Sequence, residues 1–212
     1  MPFFSRLAAH AKYVSLWLTS QHNDVVHPCT PENTQTDNDV AIYCIHGTAD
    51  HISAFEFVVK NIQSTLPPEV KSIHRVSFDG RFQLNDIVYF AHQLKNKILA
   101  NNDKKIILMG HSRGAIVASY FAEYLAKAND IEVEATINIC GPFGGTKWAF
   151  FPFTYSASID QMRTDSVFLE YLRQQMVLSP EGSYYYFSGS KDLLGEMKLK
   201  STRKHYLMNG NI

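Results

Sequence analysis

The stretch that decides the fold runs from Lys105 to Ile116 and reads Lys-Ile-Ile-Leu-Met-Gly-His-Ser-Arg-Gly-Ala-Ile. It begins with an apolar run of strand length, and apolar residues at helical spacing follow it, so it predicts a strand that turns directly into a helix. Gly110, Ser112 and Gly114 occupy the turn in a Gly-X-Ser-X-Gly pattern, which is typical of a nucleophile elbow. We therefore predict that the Ser112 hydroxyl projects above a sheet.

A serine at such a turn is placed for nucleophilic catalysis. The flanking glycines leave room where a Cβ would collide with the neighbouring turn. The backbone N–H of Arg113 falls at the start of the following helix, where unpaired donors and the helix dipole favour a developing negative charge. The pattern predicts Ser112 as nucleophile and the Arg113 N–H as an oxyanion-hole donor. The alternative, an ordinary tight turn, does not account for the strand and helix around it.

Strands and helices alternate from residue 40 onward. The predicted strands cover residues 40–45, 72–78, 105–109, 133–139 and 184–187, with a last apolar segment at 206–208. The predicted helices cover residues 53–66, 84–100, 113–127 and 159–177. Such alternation predicts the α/β class, with a mainly parallel sheet and helices on both faces.

The chain of 212 residues, 45% of them apolar, is long enough for one well-cored domain. Residues 28–39 are polar and contain two prolines, which favours a linker. We therefore expect an N-terminal helix and polar linker over residues 1–39 and one α/β domain over residues 40–212. The apolar face of the helix, within residues 3–18, is a candidate for peripheral membrane contact.

Composition narrows the classes of function. Lys plus Arg equals Asp plus Glu at 20 each, and no basic patch interleaved with aromatic residues is present, which argues against a nucleic-acid partner and favours a small or lipidic substrate. The cysteines at 29, 44 and 140 are scattered and form no Cys-X-X-Cys pair. This argues against a disulfide framework and a zinc site, and we expect reduced thiols in the cytoplasm.

Two further positions have the chemistry that an active serine needs. Asp192 follows the predicted strand 184–187, at the end where open α/β sheets place their sites, so we predict it as the acid that orients a catalytic histidine. Asp165 is a weaker alternative because it falls inside a predicted helix. His46 and Gly47 end the first strand of the domain, and the N–H of Thr48, or less readily that of Gly47, is predicted as the second oxyanion donor.

These motifs together resemble the α/β-hydrolase superfamily, and within it the bacterial triacylglycerol-lipase-like proteins. The matching segments are 46–48, 110–114 and 140–146, and the last is similar to a Thr-Pro-His-X-Gly-Thr stretch of those lipases, with Phe143 where they often carry histidine. The resemblance covers about residues 40–194. It implies a lipase or carboxylesterase that cleaves carboxylic esters through an acyl-enzyme and requires no cofactor.

The resemblance also implies a catalytic histidine in a loop after the last strand, commonly in a Gly-His pair. This chain instead reads Asn-Gly-Asn-Ile at 209–212, and His205 is its only histidine after Asp192. His205 is therefore the provisional base. If residues 206–208 form the last strand, His205 lies at the wrong end of the sheet; if they do not, the loop can fold it over Ser112. A histidine beyond residue 212 is the alternative.

An aromatic segment follows the fourth predicted strand, and in it Phe143, Trp148 and Phe151 are candidate substrate-binding residues. Apolar walls with few polar groups suit lipidic substrates, although ordinary packing of a long connection explains the segment equally well. A non-catalytic α/β-hydrolase-fold protein that binds a lipid or a partner is a competing hypothesis. Thioesterase or acyltransferase activity also stays open, since these reactions share the acyl-enzyme.

Overall fold

A computed structural model describes residues 23–31, 36, 39–48, 50–78, 84–147, 156–179, 183–189 and 205–208. Its seven-stranded sheet has the order β1-β3-β2-β4-β5-β6-β7, in which β1 is antiparallel to β3 and every other neighbouring pair is parallel. The strands are β1 Val25–Pro28, β2 Val40–Ile45, β3 Val70–Val76, β4 Lys105–His111, β5 Glu132–Ile139, β6 Tyr184–Gly189 and β7 His205–Met208.

Helices pack on both faces of the sheet, as predicted. The α-helices are α1 Glu56–Ile62, α2 Ile87–Ala100, α3 Arg113–Tyr124, α4 Ala157–Asp160 and α5 Val167–Leu178, and short 3₁₀ turns at Ile52–Phe55 and Gln63–Thr65 flank α1. Alternate residues of β2 enter different cores: Tyr43 lies in the core beneath α2, α3 and α5, whereas Cys44 lies in the core beneath α1. No helix among the described residues is both long and apolar enough to cross a bilayer.

The main difference from the predicted organisation is the edge strand β1. Val25 to Pro28 pair with Arg75 to Ser72 of β3, so part of the N-terminal region predicted to precede the domain belongs to the sheet. The prediction missed β1 because the strand is short and its partners are distant in sequence. Pro28 is compatible with it because an edge strand need not donate at every position.

The long helix predicted at 159–177 is interrupted. Its first part is the single-turn helix α4, and a turn separates this from α5, which Ser166 caps by accepting from the Leu169 N–H at 3.3 Å. Asp165 lies in this turn and forms an exposed ion pair with Arg163 at 3.1 Å. It is therefore not a helical residue, and its carboxylate is engaged on the surface.

A buried ion pair anchors the amino end of the sheet, opposite the elbow. Asp103 precedes β4 with a side chain only 2% exposed, and its Oδ1 lies 2.7 Å from Lys71 Nζ. Its other oxygen accepts from the Tyr43 hydroxyl. Burial and this hydrogen bond raise the pKa of Tyr43, so the tyrosine keeps its proton and donates it in the hydrogen bond to Asp103. The cluster ties β2, β3 and the start of β4 together.

We predict that Lys71→Met lowers the free energy of unfolding by about 3 kcal/mol, because it leaves a buried carboxylate without its counter-charge. Lys60→Met is the matched control, since Lys60 pairs with Glu56 at 2.6 Å on the surface with a side chain 66% exposed. It should cost only a small fraction of that amount. Urea unfolding of both variants measures the difference, and equal losses would contradict a buried charge pair at Asp103.

Candidate active site

Ser112 has the strained backbone that the Gly-X-Ser-X-Gly pattern predicts. Its φ is 53° and its ψ is −120°, a conformation that residues other than glycine seldom adopt. The residue lies between the end of β4 and the first residue of α3, and its N–H donates to the Ile139 carbonyl at 2.9 Å. The strand, the turn and the helix thus hold Ser112 at the carboxyl edge of the sheet, where α/β proteins place their sites.

Two glycines allow this turn to fit against its surroundings. A Cβ on Gly114 would lie 2.1 Å from the Ile45 carbonyl oxygen, and one on Gly110 would lie 2.4 Å from the Gly114 carbonyl oxygen. Both contacts are with backbone, which cannot move aside as a flexible side chain can. Helix α3 therefore packs directly on the end of β2 only because residue 114 has no side chain.

The loop after β2 is in contact with the nucleophile. A Cβ built on Gly47 would lie 3.1 Å from the Cβ of Ser112, so the loop backbone passes beside the serine side chain. The N–H of Thr48 belongs to the next peptide group and is therefore close to the same point. The Thr48 Oγ1 is buried and has no hydrogen-bond partner among the residues that the structure describes.

Arg113 contributes a backbone donor and a buried charge. It is the first residue of α3, where the N–H has no partner within the helix. Its side chain is buried, with the guanidinium 4.1 Å from the centre of the Phe90 ring. Burial lowers the pKa of Arg113 to about 10, and the charge of Asp50 opposes that shift. The group is still a cation at neutral pH, so positive charge underlies the turn.

His46 is a structural residue of the same loop. Its ring is 4% exposed, lies 5.6 Å from the Phe78 ring, and places Nδ1 2.9 Å from the Gly47 carbonyl oxygen. Burial lowers the pKa of His46 to about 4, so the imidazole is neutral at neutral pH and its Nδ1–H donates to that carbonyl. The neutral ring holds Gly47 in place.

The register of β7 gives the position of the backbone of His205, the predicted base. His205 pairs with Tyr186, Tyr186 with Asn138, and Asn138 with Gly110. The backbone of His205 is therefore level with the elbow but three strands away, about 14 Å at the usual strand spacing. Residues 205–208 form a strand, which was the first of the two arrangements considered for His205.

The other predicted site residues have different outcomes. Asp192, Trp148 and Phe151 lie outside the described residues, as does the N-terminal segment 3–18. The strand before Asp192 ends at Gly189, on the same edge of the sheet as Ser112. Phe143 is 1% exposed and packs edge-on against Tyr186 at 5.7 Å, so its ring lies in the core.

Asp50 and His111 were not singled out in the sequence, yet both lie at the elbow. His111 Nδ1 is 3.6 Å from Asp50 Oδ2 and 3.5 Å from a Cβ built on Gly47. No periodicity marks an aspartate in a loop or a histidine beside a serine, so only the fold reveals the pair. Among the described residues, no histidine ring nitrogen hydrogen-bonds to the Ser112 hydroxyl.

We predict opposite outcomes for two glycine substitutions. Gly114→Ala should destabilise the fold by about 4 kcal/mol or more, because its Cβ meets the Ile45 carbonyl. Gly47→Ala should fold, because its 3.1 Å contact is relieved by a shift of a few tenths of an ångström, but it should displace the loop from Ser112. Thermal unfolding followed by circular dichroism separates the two, and a Gly114→Ala protein as stable as the wild type would refute the close packing of α3 on β2.

We also predict a pH dependence of stability. The folded-state pKa of His46 is about 4, below its reference value of 6.5. The neutral ring therefore contributes fully to the free energy of unfolding above pH 6.5, and this contribution is lost as the pH falls toward 4. Each such proton changes the free energy of unfolding by up to about 1.4 kcal/mol per pH unit. His46→Asn should make the pH dependence shallower in urea unfolding between pH 7 and 4. If the free energy of unfolding depended on pH equally in both proteins, the His46 ring would have to be exposed to water in the folded state.

Comparisons with known proteins agree with this geometry. The sequence profile described as lecithin:cholesterol acyltransferase matches residues 50–164, which is just over half of the chain. No curated protein sequence matches significantly. Among solved structures, the mature lipase BlEst2 of Bacillus licheniformis is similar with a TM-score of 0.54 and 16% identity, over 78% of this chain and 71% of that one.

Two more structures share the fold at low identity. The monoacylglycerol lipase of Paleococcus ferrophilus has a TM-score of 0.58 and 11% identity over 89% of both chains. The phospholipase PlaB of Legionella pneumophila has a TM-score of 0.55 and 11% identity, over 71% of this chain but only 39% of its own. The sheet order, the elbow at Ser112 and the family match lead to one conclusion: the chain has the α/β-hydrolase fold and belongs to the lecithin:cholesterol acyltransferase family.

Proposed function

We propose that this protein is a serine hydrolase that cleaves carboxylic esters through an acyl-enzyme. One observation carries the proposal: Ser112 is held at φ 53° in the elbow, with the Gly47 backbone against its side chain. A strained conformation persists where the surrounding structure enforces it, and such positions are concentrated at active sites. The family match and the lipases and phospholipase with the same fold support this class of reaction.

The chemistry follows from the groups at the elbow. The Ser112 oxygen attacks the ester carbonyl carbon and gives its proton to a general base, and the N–H groups of Thr48 and Arg113 stabilise the oxyanion that forms. The carbon–oxygen bond to the alcohol then breaks, and the alcohol leaves with the proton. Water attacks the acyl-enzyme, so the carboxylic acid is released and Ser112 recovers its proton. Asp192 is our proposed acid for orienting the base.

The proposed substrate is an ester with a lipidic acyl group. This class is supported by relatives named as lipases, a phospholipase and an acyltransferase family. Balanced charge favours a neutral or lipidic substrate over a polyanion. An acyltransferase reaction differs only in its second step, where an alcohol replaces water as the acceptor.

A non-catalytic binding protein is the second candidate function. It is favoured by the register of β7, which separates His205 from the elbow by three strands. A serine without a general base keeps only what the oxyanion hole and binding provide. Such a protein would bind a lipid or a partner at the carboxyl edge of the sheet without catalysing a reaction on it.

Labelling with a fluorophosphonate probe distinguishes the two candidates. We expect the wild type to be labelled and Ser112→Ala not to be, because the probe reacts with an activated serine. His205→Ala is the matched control and should be labelled as rapidly as the wild type. Equal labelling of wild type and Ser112→Ala would remove Ser112 from the site, and an unlabelled wild type would favour the binding protein. Loss of labelling in His205→Ala would instead assign the role of base to His205.

A further inference from the structure

The residues on either side of Ser112 interact with the same carboxylate. His111 Nδ1 lies 3.6 Å from Asp50 Oδ2, which is longer than a hydrogen bond, so the contact is electrostatic. Asp50 also acts on Arg113, since its charge favours the buried guanidinium. Asp50 belongs to the loop after β2, whereas the other two belong to the elbow. One carboxylate thus joins the two halves of the site.

Burial makes this connection firm. Asp50 is 9% exposed and Arg113 is 3% exposed, so their charges interact with little screening by water. The Asp50 Oδ1 accepts from the His51 N–H at 2.8 Å, which fixes the orientation of the carboxylate. The Arg113 guanidinium is held in turn over the Phe90 ring of α2. Neither charge is free to turn toward solvent.

The same contacts determine where the loop backbone lies. The His111 Nδ1 that faces Asp50 is also 3.5 Å from a Cβ built on Gly47, which itself would be 3.1 Å from the Ser112 Cβ. Gly47 is therefore enclosed between the imidazole and the nucleophile. The Thr48 N–H follows in the next peptide group, two residues before Asp50. A movement of Asp50 displaces this donor relative to Ser112.

We propose that Asp50 is a positioning residue of the oxyanion hole. Through His111 it holds the loop after β2 against the elbow, so that the Thr48 N–H faces the oxygen of a carbonyl bound to Ser112. This inference rests on the proposed function for its catalytic consequence. Its structural part, the attachment of the loop by Asp50, holds for a binding protein as well.

Asp50→Asn tests the proposal because it keeps the size of the side chain and an acceptor for the His51 N–H while removing the charge. With a soluble chromogenic ester, we expect kcat to fall about 100-fold with KM nearly unchanged, because a donor displaced by about 1 Å costs that much in the transition state. The affinity for a trifluoromethyl ketone, which forms an oxyanion on the serine, should fall in parallel. Asp103→Asn is the control: it removes a buried carboxylate at the opposite edge and should lower stability without changing kcat.

Hydrogen exchange of the Gly47 and Thr48 amides tests the attachment without activity. We expect faster exchange in Asp50→Asn than in the wild type or Asp103→Asn. His111→Gln removes the imidazole that contacts Asp50. Because the His111 side chain is 41% exposed, this variant should fold even if Asp50→Asn does not, and it should also accelerate the exchange of the two amides. Unchanged exchange in these variants would overturn the proposal. If the wild type neither turns over esters nor reacts with fluorophosphonate, the proposed function fails, and the exchange result alone decides the role of Asp50.

Discussion

The close contact between Gly114 and the end of β2 is the constraint on which the site depends. A Cβ at this position would lie 2.1 Å from the Ile45 carbonyl oxygen, so α3 can pack this closely on the strand only because residue 114 has no side chain. Two residues before this contact the chain turns sharply at Ser112, which has a positive φ. It also places the loop after β2 beside the nucleophile, because that loop begins directly after Ile45. The strained turn at Ser112 and the position of the loop after β2 are therefore both tied to the close approach of α3 to β2.

The electrostatics of the site follow from its burial. His46 is kept neutral by desolvation and holds Gly47, whereas Arg113 keeps its charge because it packs on Phe90 and has Asp50 nearby. A buried cation and the start of α3 both lie beneath the turn, so an anion that forms above Ser112 is favoured. In the described part of the chain, the elbow therefore has a neutral imidazole and a buried cation next to Ser112.

The sequence predicted the parts of the fold that local patterns determine. Strand β2 was predicted with its observed bounds because all of its residues are buried and form an uninterrupted apolar run. The elbow was predicted because its glycines and serine have fixed spacing. Strand β1 was missed because its stability comes from distant partners, including the Arg75 side chain, which donates to His27 at 3.0 Å. Asp50 and His111 were missed for the same reason, and the position of His205 depended on whether a four-residue strand pairs with β6.

The most direct test of the central claim is a crystal structure of the protein after reaction with a fluorophosphonate. The account predicts phosphorus bonded to the Ser112 oxygen. It also predicts a phosphonyl oxygen within about 2.7–3.1 Å of the backbone nitrogens of Thr48 and Arg113, the distances at which an oxyanion hole acts. An adduct on another residue, or a phosphonyl oxygen directed toward solvent and away from both nitrogens, would contradict the account.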